Sequence, residues 1–273
     1  MKLIHSFWSK PAQMERWDVK NQIVKNIWYY AVSVALVKKL GVDIELHTDN
    51  IGKEFLDFLP YDKIHKTLEN FDFHKDLWAS NKMEVYKHLN PGDIHIDGDV
   101  FIKKQTALDA LKFDNYDCIF QMEEGYSEHS YRPTYNKMKH LFNKMLPFFS
   151  ENYSPINCGV AGFNNMELKH DYIDMYFEIA QLLLDKHNEL KNVDLSYSMV
   201  VLEQWFVWNA LKKHNAKIKF LLPIADCLGT SRKIGYTHIM GSAKYKENVL
   251  QQVKDFLKEF DINLYNHIVK NYE

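Results

Sequence analysis

The sequence predicts an α/β protein with a mixed, mainly parallel sheet flanked by helices. Two observations carry that prediction. Short apolar runs of period two alternate with longer segments of helical period through the first half of the chain. The stretch Asp93–Ile102, reading DIHIDGDVFI, then places two carboxylates at the end of one such run. In an open α/β sheet the carboxyl ends of strands are where ligands bind.

Lys2–Phe7 is the first strand. It ends at Ser6-Phe7-Trp8, so Trp8 has two readings: a platform for a flat base, or a core aromatic. Asn21–Leu40 follows as a helix. Ile23, Ile27, Ala31, Val34 and Ala35 share a face, and Gly41 closes it. Val42–Leu46 is the next strand and ends in His47-Thr48-Asp49, completing a βαβ unit. Asp49 either faces the ligand crevice or caps the short helix Ile51–Phe58. Lys63–Leu68 is a further strand, and a helix starting at Asp76 or later runs to Leu89. Lys82 on that helix either reaches an anion or stays solvated.

Pro91-Gly92 turns the chain into the strand Asp93–Asp97. Tyr116–Gln121 is a strand, 126–135 a polar aromatic loop and Asn136–Phe149 a helix. A strand INCGVAGF lies within Tyr153–Phe163. Its small residues Cys158, Gly159, Ala161 and Gly162 let a ligand or another backbone approach closely. Glu167–Asn188 and Ser196–Lys213 read as two long helices, Lys217–Leu222 as a strand, Asp226–Met240 as a loop, and 245–272 as a C-terminal helix. With neither a repeat nor a linker, the expectation is one domain over residues 1–273.

Composition narrows the function. The chain has 273 residues and is 46% hydrophobic, enough for a sizeable core. A net charge of -2 supplies no basic field, so nucleic acid is not expected as a partner. The three cysteines are scattered without metal spacing, which suits a reduced, cytoplasmic setting. The start lacks the apolar run of a signal peptide, and the apolar stretch Ile27–Val37 is too short to span a bilayer. Peripheral membrane contact stays open.

Asp97-Gly98-Asp99 is where chemistry is expected. Paired carboxylates at a strand end hold a hard divalent cation, and the cation can hold a diphosphate. Three further motifs follow in order: Asn157-Cys158-Gly159, Glu203-Gln204, and His238-Ile239-Met240-Gly241-Ser242-Ala243-Lys244. Singly, each has an ordinary structural reading. His238 caps a loop, Glu203-Gln204 is an exposed helix face, and Asn157 pins a turn.

Together, the ordered set resembles the GT-A glycosyltransferases, especially the bacterial enzymes of glycosyltransferase family eight and their relatives in polysaccharide synthesis. The resemblance spans roughly residues 2–245 and implies a GT-A, Rossmann-like fold. It also implies a manganese or magnesium ion held by Asp97, Asp99 and His238. Phe7, Trp8, Asp49, Lys82, Gly98, Gly159, Gly241 and Lys244 would bind the nucleotide-sugar, and Asn157, Glu203 and Gln204 would be catalytic. Two departures stand out. Tyr245-Lys246 replaces the usual proline and tryptophan, and Asn209 does not keep the usual spacing after Glu203-Gln204. A sister family of the same fold accommodates both.

The implied reaction moves a sugar from a nucleoside diphosphate sugar to a saccharide or lipid-linked acceptor, with retention favoured. An inverting enzyme would need a base, for which Glu123, Glu124 and Glu203 are candidates. The alternatives are a binding protein that has lost catalysis, or a nucleotidyltransferase. The second should carry a glycine-rich N-terminal loop, and residues 1–20 contain no glycine.

Overall fold

The computed structural model of the protein describes residues 1–14, 20–125, 131–142, 144–190 and 193–273. In chain order the first elements are β1 (Leu3–Phe7), α1 (Ser9–Gln13), α2 (Gln22–Lys39), β2 (Ile44–Thr48), α3 (Asn50–Leu56) and β3 (Lys63–His65). Then come α4 (Ser80–Tyr86), β4 (Ile94–Ile96), β5 (Val100–Ile102), α5 (Gln105–Leu111), β6 (Cys118–Glu123), α6 (Arg132–Phe142) and β7 (Ile156–Phe163). The rest are α7 (Met166–Lys186), α8 (Leu195–Val200), α9 (Val207–Lys213), β8 (Ile218–Phe220), α10 (Cys227–Ile234), β9 (Tyr236–His238), α11 (Glu247–Phe260) and α12 (Ile262–Tyr272). The strands form a mixed, mostly parallel seven-stranded sheet and a two-stranded ribbon. The α/β class read from the sequence is therefore the observed one.

The chain forms two compact units. The first comprises Met1–Phe71, Ile96–Leu111 and Ser231–Glu273; the second comprises Asp72–His95 and Lys112–Thr230. In the first unit β1 runs parallel to β2 and β2 parallel to β3. The strand period of two sorts their side chains. His5, Phe7, Leu46 and Ile64 fall on the face that carries α2, α11 and α12. Glu45, His47 and His65 fall on the other. The helical stripe Leu250, Val253 and Leu257 of α11 meets Trp28, Ala31 and Val32 of α2 in one core. Each large apolar side chain fully buried there contributes about 1.5–3 kcal/mol relative to exposure.

In the second unit β6 lies between β7, antiparallel, and β8, parallel. Gly162 of β7 is a close-approach position. A Cβ there would lie 2.9 Å from the Asp93 carbonyl oxygen, so another backbone fills the space the small residue leaves. Elsewhere in this unit Tyr135 and Phe149 each pack edge-to-face on Trp205 and Phe206.

Several expected elements differ. The helix expected over Ser196–Lys213 is interrupted: Val201–Trp205 is a π turn, closed by the Phe206 amide donating to the Val201 carbonyl at 3.0 Å. The helix read as Asn136–Phe149 is Arg132–Phe142, so its first turns occupy residues read as loop; residues 126–130 of that loop lie outside the described ones. Asp226–Met240 is not a loop but holds α10 and β9. The C-terminal helix is two helices, α11 and α12, meeting at Asp261, whose carboxylate caps the second by accepting from the Leu264 amide at 3.0 Å.

Candidate functional site

β4 ends at Ile96, and the chain turns through Asp97-Gly98-Asp99 before β5. The Val100 amide donates back to the Asp97 carbonyl at 2.9 Å. β5 pairs antiparallel with β9, with Val100 opposite His238. That register brings the imidazole beside the turn. His238 Nε2 lies 3.3 Å from Asp99 Oδ1 and 3.9 Å from Asp97 Oδ2. The ligand atoms of Asp97, Asp99 and His238 all lie within 4.8 Å of one another. After β9 a 3-10 turn, Gly241–Tyr245, returns Lys244 to the same place, with Nζ 2.6 Å from Asp99 Oδ2. Gly241 opens that turn at φ +66°, a left-handed conformation suited to glycine.

One helix holds these pieces in position. Tyr29 of α2 donates its hydroxyl to the Lys244 carbonyl. Gln22 and Asn26, also of α2, bond the Tyr245 hydroxyl at 2.9 and 2.8 Å. Ser33 donates to the Val100 carbonyl at 2.6 Å. Tyr30 lies under Gly98, where a Cβ would come 2.3 Å from its ring. Its hydroxyl donates to the Ser6 carbonyl at 2.6 Å, which fixes the ring.

The electrostatics follow from burial against paired charge. Burial pushes the Asp99 carboxyl up, but the charges and hydrogen bonds of Lys244 and His238 outweigh it and hold its pKa well below the carboxylate range. Burial, then the Asp97 and Asp99 charges, push the Tyr236 hydroxyl well above its ordinary value, so it stays neutral. The set is two carboxylates and one imidazole, with an ammonium alongside. Its donors fit a borderline-to-hard divalent ion of the manganese or magnesium kind.

The second unit contains a separate polar network. Glu203, on the π turn, is wholly buried; its Oε1 accepts from Lys82 Nζ at 3.0 Å. The Glu203 carbonyl accepts from the Tyr172 hydroxyl at 2.7 Å. Asn157 bridges two groups: its Oδ1 accepts from the Gly159 amide at 2.9 Å and its Nδ2 donates to Glu124 Oε1 at 2.7 Å. The Tyr131 hydroxyl lies between Glu124 Oε2 and Gln204 Oε1 within hydrogen-bond reach of both. Burial, then the Glu124 charge, push that hydroxyl far above its ordinary pKa.

The model of a family of unknown function, DUF6734, matches residues 1–271. The chain belongs to that family. No curated protein matches the sequence. Among solved structures the chain is similar to the galactosyltransferase LgtC in complex with donor and acceptor sugar analogs. Identity there is 9%, coverage is 81% of this chain and 73% of that one, and the TM-score is 0.43. It is similar also to an active-site mutant of LgtC, at 8% identity, 81% and 72% coverage and TM-score 0.43. Likeness that distant leaves the chemistry to be argued from the residues.

In this DUF6734 chain the sequence-predicted residues sort by unit. Asp97, Gly98, Asp99, His238, Gly241 and Lys244 come together in the first. Phe7, Trp8 and Asp49 also belong to it but have structural duties. Phe7 meets Tyr30 and Trp8 meets Phe71 edge-to-face, and both are buried, as the core-aromatic reading of Trp8 has it. Asp49 caps α3, accepting from the Gly52 amide at 2.6 Å, and also accepts from the Ser9 amide and hydroxyl at 2.9 and 2.8 Å.

Lys82, Asn157, Gly159, Glu203 and Gln204 belong to the second unit. Two ordinary readings fail there: Lys82 is not a solvated lysine, and Glu203 is not on an exposed face. His238 stands on a strand rather than in a loop. Sequence reasoning missed Tyr131, and missed Gln22, Asn26, Tyr29, Tyr30 and Ser33 as the residues that hold the carboxylate turn. No local pattern marks them, since each has a partner distant in sequence, Tyr131 joining nearby Glu124 to distant Gln204.

Proposed function

We propose that the chain is a metal-dependent glycosyltransferase that moves a sugar from a nucleoside diphosphate sugar to a saccharide or lipid-linked acceptor, with retention. The observation that carries this reading is the convergence of Asp97, Asp99 and His238 with Lys244 beside them. Asp97, Asp99 and His238 would hold manganese or magnesium. Such an ion, when bound, supplies the charge that a departing diphosphate requires.

Lys244 neutralises Asp99 in the structure, and its ammonium is the group to meet a diphosphate oxygen once Asp99 serves a metal. The Gly241 turn offers backbone amides without a side chain in the way. Tyr29 holds the Lys244 backbone, so the lysine is aimed rather than free to wander.

The catalytic assignments in the second unit are part of the same proposal. Glu203 spends its charge on Lys82, which speaks against it as the base. Glu124, joined to Asn157 and through Tyr131 to Gln204, is the carboxylate better suited to orient an acceptor hydroxyl or a sugar. Retention needs no protein base, because the leaving phosphate can take the acceptor proton. A cytoplasmic setting in surface-polysaccharide assembly is the natural context; among the described residues no helix is long and apolar enough to cross a membrane.

The test is thermal unfolding with a panel of nucleoside diphosphates, each with and without manganese. A midpoint rise that needs both metal and one diphosphate supports the donor site and names its base. No rise with any pair, in folded protein, overturns the reading. Incubating the donor that binds with acceptor extracts then separates transfer from binding alone, since a protein without catalysis leaves the sugar on its nucleotide.

A further inference from the structure

A second cluster lies on the opposite sheet face of the first unit, away from the α2 core. Glu45 and His47 are two apart on β2 and so share a face. His65 of β3 stands directly opposite His47 in the parallel register. The rings stack, with centroids 4.6 Å apart and planes at 28°. His65 Nε2 is 3.0 Å from Glu45 Oε2, and one ligand atom from each of the three lies within 4.8 Å of the others.

We propose that Glu45, His47 and His65 form a second metal site that takes zinc or a similar borderline ion. The donor set differs in kind from the first cluster. Two imidazoles and one carboxylate suit zinc, which accepts three protein ligands and one water. Two carboxylates and one imidazole suit manganese or magnesium.

The spacing agrees with this. Tetrahedral ligands at zinc distances sit about 3.3 Å from one another, and the Glu45–His65 pair is already at 3.0 Å. Small side-chain rotations bring in the third. His47 Nδ1 meets Thr67 Oγ1 at 3.2 Å, an orienting partner of the sort metal-bound imidazoles use, so Nε2 is the nitrogen proposed to coordinate.

Lys2 is the competitor, with Nζ 3.1 Å from the same Glu45 oxygen. The His65 side chain is 38% exposed, which gives an ion a way in from solvent. Bound there, the metal would tie the three-residue edge strand β3 to β2.

The test uses the full chain carrying Asp97→Asn, which disables the first cluster while keeping the Asp99–Lys244 pair. Zinc is titrated against a chromophoric chelator, and cobalt is used as a spectroscopic substitute. One equivalent of zinc and a tetrahedral cobalt spectrum are expected. His65→Gln, at a half-exposed position that circular dichroism will show to be folded, should weaken zinc by about 100-fold or more, and Thr67→Val by about 10- to 100-fold. Lys2→Met should tighten it. No zinc bound by the Asp97→Asn chain, an octahedral cobalt spectrum, or unchanged affinity in His65→Gln would each overturn the site. None of these readouts depends on glycosyl transfer.

Discussion

Lys82 Nζ lies 3.0 Å from Glu203 Oε1, in an ion pair whose side chains are only 7% and 0% exposed. A pair so buried is costly to break from one side, because the remaining charge has no water to turn to. Lys82→Met or Glu203→Leu alone should each cost about 3–5 kcal/mol. The double variant should cost clearly less than the sum. Equilibrium urea unfolding of the two singles and the double checks this; single-variant losses under about 1 kcal/mol would contradict it.

Asp99 makes stability depend on pH in one direction. Its folded pKa is depressed by Lys244 and His238 against the opposing effect of burial. The stability it contributes is therefore fully present above the unfolded value, about 3.9, and is lost as pH falls through that value toward the folded one. Asp99→Asn should be less stable than the parent at pH 7, and the gap should narrow below about pH 4. Denaturant midpoints of both proteins at the two pH values test the sign.

Gly98 has no room for a side chain, since a Cβ would lie 2.3 Å from the Tyr30 ring. Tyr30 cannot easily retreat, because its hydroxyl is bonded to the Ser6 carbonyl. Gly98→Ala should destabilise by about 1–3 kcal/mol, and Tyr30→Leu in the same chain should recover part of that. If Gly98→Ala proves neutral in thermal unfolding, the packing under the turn is looser than the distances say.

Lys244→Met removes the ammonium beside Asp99. If the donor site is as proposed, turnover should fall by about 10²–10³-fold, the scale of losing one charge-stabilising group. Asp97→Ala should abolish metal-dependent turnover. Steady-state rates with the donor found by thermal shift give both numbers, and full turnover by Asp97→Ala would end the metal assignment.

The sequence was most legible where polar residues break an apolar run at a regular period, as in the run into Asp97-Gly98-Asp99 and the first turns of α2. The period reports the element rather than an exposed side, since β4 is buried on both faces and α2 all round from Ala31 to Val37. Legibility failed for physical reasons at three places. The π turn at Glu203 shifts the helical phase without changing composition, so periodicity reads straight through it. α10 has no buried residue and hence no apolar stripe to detect. β9, at three residues, is shorter than any reliable alternation. Within the candidate site, the residue types of the first cluster were visible as motifs. Tyr131 was not, because its hydroxyl joins Glu124, seven positions away, to Gln204, 73 positions away, and no local pattern marks that bridge.

The pairing of β5 with β9 has a consequence for how the site comes into being. Lys244 and Asp99 are 145 positions apart, and most of the second unit is threaded between them in the chain. A growing polypeptide thus exposes Asp97 and Asp99 long before His238 and Lys244 leave the ribosome. At that stage it has half a binding site and no counter-charge for Asp99. Closure of so distant a contact carries a large entropy cost and is expected late in folding. If the cluster holds a metal as proposed, products that end before His238 would keep both carboxylates but lack the imidazole and ammonium that complete it.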